Sequence, residues 1–472
     1  MWPQPLNPLG SVLLSALAAG VPLAVLLILM GGLRRSGVFS AAWGLATAAL
    51  LAMLIWRMPL KLAALSAGFG FIFALWPIMW IVFTALWLYN LSVETGQFEL
   101  LRRWMAQHAS GDPCLQAILV AFCFGALLEG MAGFGAPVAV ASFLLMGLGF
   151  SARKAVTVSL IANTAPVAFG SLGIPIVALA GVTGLDQMKL SAMVGRQLPF
   201  LSLLLPGYIV WVVAGKKGLK KSWPAALVGG ASFALAQFTV SNFWGPYAAD
   251  IIAALVSIAA LVTFLKVWKP AGANHLAASS LPESARLSAR EVLAAWAPWV
   301  ILAVVMIGWT YLKLFQWGQI PIPVRGLHNA IFISLYQKPY AAIFNFQPLA
   351  AGTAALTATL LTAAAFRVPI RAFINAGRKT LLQLRKPGLT VGLIVALAYL
   401  YNYSGMAYTL GAALAGLGGL FPLVSGFLGW IACFLSGSDT ASNLLFGNLQ
   451  VAAGHQIGVN PVLLAATNSS GA

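Results

Sequence analysis

The chain has 472 residues, 61% of them hydrophobic and 8% charged, with 27 Lys and Arg against 9 Asp and Glu, and its mean hydropathy is +0.91. A soluble protein of this length needs far more polar surface, so the composition excludes a soluble enzyme or binding module and requires a membrane protein of many spans. The formal charge of +18 does not indicate nucleic acid, because the basic residues cluster between apolar blocks as they do in cytoplasmic loops.

Apolar stretches near the length of a membrane helix, about 20 residues, begin at 13–30, 41–56 and 65–89. The N-terminal Met-Trp-Pro-Gln has no Lys or Arg, whereas Arg34 and Arg35 follow the first stretch. That asymmetry places the N-terminus outside, on the periplasmic side. No small-residue cleavage site follows the first stretch, so it reads as a span rather than a signal peptide. A polar interval with Glu94, Glu99, Arg102, Arg103 and Asp112 comes next, then a broken apolar region over 114–182. Spans at 198–214 and 223–239 flank Lys216, Lys217, Lys220 and Lys221, which mark an interior loop. Further spans fall at 250–268 and 292–312. The least hydrophobic stretch, 270–295, reads as a loop or a short interfacial helix. A second polar stretch with spaced Pro and Gly occupies 316–340, and a second broken region runs over 421–472. The pattern predicts an all-α polytopic membrane protein, a single domain over 1–472, with roughly eleven or twelve spans and two shorter hairpin segments.

Two acids stand alone in charge-free apolar sequence. Glu129 is the only charged residue between Asp112 and Arg153, in FGALLEGMAGFGAPVAVASF. Asp439 is the only one after Lys386, in FLSGSDTASNLLFGNLQ. Ionised groups at membrane depth are costly and mark ion or substrate paths. Each acid lies beside Gly, Pro, Ser and Asn, which break helices, and broken backbone in a bilayer survives only inside protein or along a watery cavity. A weak repeat links the regions: acid near glycine, apolar helix, polar turn, apolar helix, then Asn with Ser or Thr. Secondary transporters are built from such repeats. Gly130, Gly133 and Gly135 allow close backbone approach to a ligand. Asn163, Thr164 and Pro166 interrupt the following helix, and Asn468, Ser469 and Ser470 are their counterparts. Ser438, Thr440 and Asn443 offer hydroxyl and amide groups to a small oxygen-rich solute. Helix halves that start at such breaks present N–H groups suited to an anion.

Glu129 reads as a carrier of a proton or cation, against a structural role in pinning the hairpin through backbone N–H groups. Asp439 reads equally as a coupling site or as part of a helix cap in SGSDT. Arg196 is a candidate partner for a substrate carboxylate, with snorkelling to the interface as its alternative. Asp250 opens a span, where a helix N-terminus favours an acid. Cys114, Cys123 and Cys433 have no metal-ligand spacing, and His108, His275, His328 and His455 all lie in polar intervals. No metal site or cofactor is expected.

The runs LYNLSVETGQFELLRRWM, FGALLEGMAGFGAPVAVA, SLIANTAPVAFGSLGIPI, VGRQLPFLSLLLPG, SNFWGPYAADIIAALVS, YNYSGMAYTLG and FLSGSDTASNLLFGNLQ resemble the L-lactate permease family in the family's order. The resemblance implies an inner-membrane secondary transporter for L-lactate, D-lactate or glycolate, coupled to protons. It implies about 11–13 transmembrane helices in two inverted halves, 1–222 and 223–472, each with a re-entrant hairpin and a broken helix. The hairpins fall near 129–150 and 436–456, with unwound turns at 163–166 and 468–470. Glu129, then Asp439, would couple the proton. Superfamily analogy adds motion of the hairpin domain against a scaffold, in a homodimer. The resemblance also implies a further span beyond the NSSG turn, so the C-terminus is expected to be truncated relative to the family. A sodium-coupled carboxylate carrier is the alternative reading, and a proton-channel subunit of a respiratory complex is the more distant one.

Overall fold

The computed structural model describes residues 1–108, 111–133, 136–268 and 287–472, and it is helical almost throughout. Among the described residues nine helices are long and apolar enough to cross a membrane, ten with the bent pair Ala152–Ala162 and Val167–Thr183. That becomes eleven once Gln187–Phe243 is counted as two passes, because it doubles back at Gly215, where φ is +65° and ψ −163°. A side chain is disfavoured at that φ, so glycine makes the turn possible. The two arms are held antiparallel by buried hydrogen bonds, Ser191 Oγ donating to Ser241 O at 2.8 Å and Ser202 Oγ to Gln237 Oε1 at 3.0 Å. Lys216, Lys217, Lys220 and Lys221 follow the turn directly, as the charge pattern required. The expected half boundary at 222/223 lies within the second arm. Most of the 270–295 segment lies outside the described residues.

One set of helices, Val12–Gly32, Gly37–Leu54, Leu60–Glu94, Ala289–Tyr311, Ala351–Ala365 and Ile370–Ser404, packs through alanine- and glycine-rich faces. Ala41, Ala48, Ala52, Ala354, Ala355 and Ala358 are all fully buried there. Without a hydrophobic drive between helices in lipid, such small faces let backbones approach and gain dispersion contact. Leu13, Leu17, Leu54, Leu361 and Leu382 point outward, as lipid-facing residues must.

The polar stretch around 316–348 forms strands rather than a plain loop. Ile320–Pro323 pairs antiparallel with Ile343–Phe346, and Ile331–Ile333 pairs with both Lys338–Pro339 and the N-terminal Trp2–Pro3. Gln4 Nε2 then donates to the carbonyls of Asn402 and Tyr403 at 2.8 and 2.9 Å. Gly and Pro at fixed intervals signalled turns, but the strand pairing between them is a tertiary matter.

Candidate functional site

The site is assembled from two helix hairpins and one broken helix. The first hairpin has arms Pro113–Met131 and Ala136–Gly147. The first arm is buried on every side, so Glu129, near its end, faces no lipid. Gly133 takes φ +52°, and a side chain there would collide with Ser171 Oγ. A side chain on Gly170 would collide with the Glu129 carboxyl, its Cδ lying 3.1 Å from the added carbon. The hairpin tip and the broken helix therefore interlock through two glycines with Glu129 between them. Gly135 lies outside the described residues.

The broken helix is Ala152–Ala162 followed by Val167–Thr183, bent by 67°. Past the Asn163–Pro166 turn, Ser171, Leu172 and Gly173 have φ of +46°, +58° and +72°. Left-handed Ser and Leu cost roughly 1–2 kcal/mol each, and such strain persists only where the surroundings impose it. The Asn163 side chain shares the cavity wall with the Glu129 carboxyl.

The second hairpin is Phe421–Ser436 and Asp439–Ile457. Gly437 closes the first arm in the left-handed region at φ +69°, and Ser438 caps the second by accepting from Ala441 N at 3.2 Å. Asp439 does not cap the helix. Its Oδ2 accepts from Ser469 Oγ at 2.7 Å, and its Oδ1 has no partner.

These parts meet at a cavity of about 460 Å³ lined by Glu129, Asn163, Thr164, Gly170, Ser171, Ser438, Asp439 and Thr440. Among the described residues no Lys, Arg or His lines it. Behind its wall, Asn443 Nδ2 donates to Pro175 O at 3.2 Å and to Ser469 Oγ at 3.0 Å, while Asn468 Nδ2 donates to Asn443 Oδ1 at 2.9 Å. Of the residues picked from sequence, Glu129, Asn163, Thr164, Ser438, Asp439 and Thr440 thus share the cavity wall. Asn443, Asn468 and Ser469 form the buried network behind it. Gly130 packs against the start of Ala249–Val267, where a side chain would come within 3.0 Å of Asp250 Cβ. Arg196 lies apart, exposed, its Nε donating to Asn242 Oδ1 at 2.9 Å.

Asp250 is the residue the sequence reading passed over. It is 1% exposed, and its Oδ1 accepts from Gln237 Nε2 at 3.1 Å instead of capping its helix. It is also the only charged residue between Lys221 and Lys266. The isolation that singled out Glu129 and Asp439 therefore applies equally to Asp250.

A second cavity of about 730 Å³ lies further along the same helices, lined by Val177, Ala180–Leu185, Tyr403, Tyr408, Asn448, His455 and the strand segment around Tyr340. Between the cavities the helices Gly170–Thr183 and Asp439–Ile457 run side by side, Asn443 against Pro175 and Gly447 against Leu179 and Thr183. At the other end of the broken helix, Lys154, Lys217 and Lys221 surround the outer ends of the first hairpin. No group of three or more potential metal ligands exists among the described residues.

The family model described as L-lactate permease matches residues 15–472. The chain is 44% identical over its whole length to a glycolate permease of Escherichia coli, covering 89% of that protein. It is 41% identical to an L-lactate permease of Bacillus subtilis and 40% identical to one of Salmonella typhimurium, in each case over all of this chain and 89% of the relative.

Proposed function

This chain belongs to the L-lactate permease family, and we propose that it carries a small 2-hydroxymonocarboxylate across the inner membrane together with a proton. L-Lactate is the first candidate, with glycolate and D-lactate as related cargo, since the relatives are named L-lactate and glycolate permeases. The substrate carboxylate would lie against the N-terminal N–H groups of Asp439–Ile457, which favour an anion. Its hydroxyl would meet Asn163, Thr164, Ser438 or Thr440.

One observation carries the coupling. Glu129 and Asp439, both themselves buried, line the same cavity, and among the described residues no Lys or Arg lines it. An anion entering beside two carboxylates is repelled strongly in a low-dielectric site, so the substrate needs a neutralising charge to travel with it. A proton on Glu129 supplies that charge, and Asp439 is the second candidate carrier. Sodium would do the same electrostatic work, and the experiment separates the two ions.

We place the lysine-rich end of the bundle in the cytoplasm by the positive-inside rule. The end holding the N-terminus and the 730 Å³ cavity is then periplasmic. The first hairpin enters from the lysine end and the second from the opposite end, which supports a pair of inverted halves. Substrate passes between the cavities where Asn443 and Gly447 now close the path.

The test is uptake of L-lactate and glycolate into proteoliposomes under an imposed inward proton gradient, with and without sodium. Uphill, sodium-independent accumulation is expected. Glu129→Gln, whose neutral amide resembles the protonated acid but carries no proton, should lower uphill accumulation at least about tenfold, while downhill exchange continues. Unchanged uphill accumulation by Glu129→Gln removes Glu129 as the proton site.

A further inference from the structure

The two cavities have opposite chemistry. Glu129 and Asp439 line the 460 Å³ cavity, and among the described residues no Lys, Arg or His does. Lys338 and His455 line the 730 Å³ cavity, and among the described residues no Asp or Glu does. The contrast extends beyond the lining, because the chain carries no acid between Glu291 and Asp439. Asp186, between the lining residues Leu185 and Gln187, is turned to its own helix, accepting from Lys189 N at 2.8 Å. The only ion pairs among the described residues are Arg102–Glu99 and Lys221–Asp112, so the Lys338 ammonium has no carboxylate partner among them.

The strands fix where that ammonium sits. Lys338 pairs with Ile333, and Ile331–Ile333 is tied in turn to the N-terminal Trp2–Pro3. The turn between is closed by Tyr336 N donating to Ile333 O at 3.2 Å and Gln337 Nε2 donating to Ser334 O at 2.7 Å. Lys338 Nζ lies 5.6 Å from the centre of the Tyr336 ring, and the centre of the His455 ring lies 5.1 Å from it. One aromatic ring is thus flanked by both. Tyr336 also meets Tyr408 edge-on at 5.5 Å, and Tyr340 stacks on Tyr403 at 4.1 Å. All four tyrosines line the cavity. Phenol hydroxyls, an imidazole N–H and an ammonium can each donate to a carboxylate, and the charged donor gives the strongest bond.

We infer that the 730 Å³ cavity is a second binding site for the transported anion, one that captures a small carboxylate in its ionised form. Lys338 supplies the charge, and the tyrosines and His455 supply further donors. The inference rests on the carboxylate-transport reading above and deepens it. The two sites stand at opposite ends of one helix, since Asp439 opens Asp439–Ile457 and His455 lies in its last turn. At 1.5 Å per residue they are about 24 Å apart along it. Charge is therefore handled in two places. At the first site a fixed cation draws the anion from solution, because a charge in a cleft with low-dielectric walls raises the local concentration of its counter-ion. At the second, two acids reject the anion unless a neutralising ion travels with it.

The experiment pairs equilibrium dialysis of radiolabelled L-lactate against the purified full-length protein in lipid nanodiscs with uptake into right-side-out membrane vesicles at several salt concentrations. Two molecules of L-lactate per chain are expected at saturation. Lys338→Gln should bind one. It should also lower kcat/KM for uptake about tenfold, the lower end of electrostatic focusing, and remove most of the fall in kcat/KM that added salt produces in the parent by screening. Lys338 is exposed, so its replacement leaves the core intact, and Lys338→Arg, which keeps the charge, should restore both the second molecule and the salt dependence. One molecule per chain in the parent, or two in Lys338→Gln, overturns the second site. Unchanged kcat/KM and salt dependence in Lys338→Gln overturn its role in capture. If Lys338→Gln loses one of two bound molecules but the parent transports no lactate, the transport reading fails while the anion site stands.

Discussion

Replacing Asn443 by alanine distinguishes a binding residue from a structural one. Its side chain is fully buried and engaged in three hydrogen bonds: two donated, to Pro175 O and Ser469 Oγ, and one accepted from Asn468. Buried side-chain hydrogen bonds in membrane proteins average about 0.6 kcal/mol, so three lost bonds give a floor of about 2 kcal/mol. Buried partners left without a bond cost about 1–3 kcal/mol each, which lifts the expectation for Asn443→Ala to about 2–4 kcal/mol. Unfolding in mixed micelles, followed by the fluorescence of the 16 tryptophans, reads this directly. Asn468→Ala removes the other end of the 2.9 Å bond, so the double variant should show a coupling of about 0.6 kcal/mol. Folded Asn443→Ala protein should keep its KM. A loss of stability below about 0.5 kcal/mol, the usual range of a surface substitution, together with a raised KM would refute the reasoning and return Asn443 to the substrate.

Gly447 seals the two parallel helices between the cavities, and an added side chain there overlaps Leu179 and lies 3.3 Å from Thr183 Cγ2. Gly447→Val should cost about 1–3 kcal/mol of stability by overpacking and abolish uptake, measured in the same micelles and proteoliposomes; wild-type uptake would show that nothing passes or moves there. Asp112 tests the lysine end. Burial pushes its carboxyl up, but Lys221, at 2.8 Å, and the Cys114 N–H outweigh burial and hold it below the ordinary 3.8. A depressed acid stabilises the fold fully above its unfolded value, and that contribution disappears as pH falls through the folded one. Asp112→Asn should therefore cost about 1–3 kcal/mol near neutral pH, with the difference from the parent shrinking only in strong acid. A constant difference across that range would refute the assignment.

The spans and most breaks were legible because lipid leaves little freedom, but the turn expected at 468–470 is helical, within Pro461–Gly471. Twenty apolar residues must be a helix, and Gly-rich or Asn-Pro interruptions at such depth must be sheltered. The glycines at 133, 170 and 437 and the Asn163–Pro166 turn accordingly stand where the chain breaks. What the sequence did not reveal is which side of each broken segment meets water. Asn443 and Asn468 have the same chemistry as Asn163, yet only Asn163 reaches the cavity wall. The difference comes from how Asp439–Ile457 packs on Gly170–Thr183, a contact across more than half the chain. Arg196 shows the same limit, since its place at the edge of an apolar block does not say which way it points. Asp250 was missed for another reason: a local explanation, the helix dipole, was available and was accepted. Its charge isolation was as complete as that of Glu129.

The N-terminal segment carries a consequence for the order of assembly. Gln4 bonds to the backbone at 402 and 403, a sequence separation of 398 and 399 residues, and Trp2 pairs with Ile331. At a synthesis rate of about 5–20 residues per second, the partners of Gln4 leave the ribosome roughly 20–80 s after it does. The segment around Gln4 is therefore fixed in place only after the helices up to residue 403 have been made, so this cap of the molecule closes late.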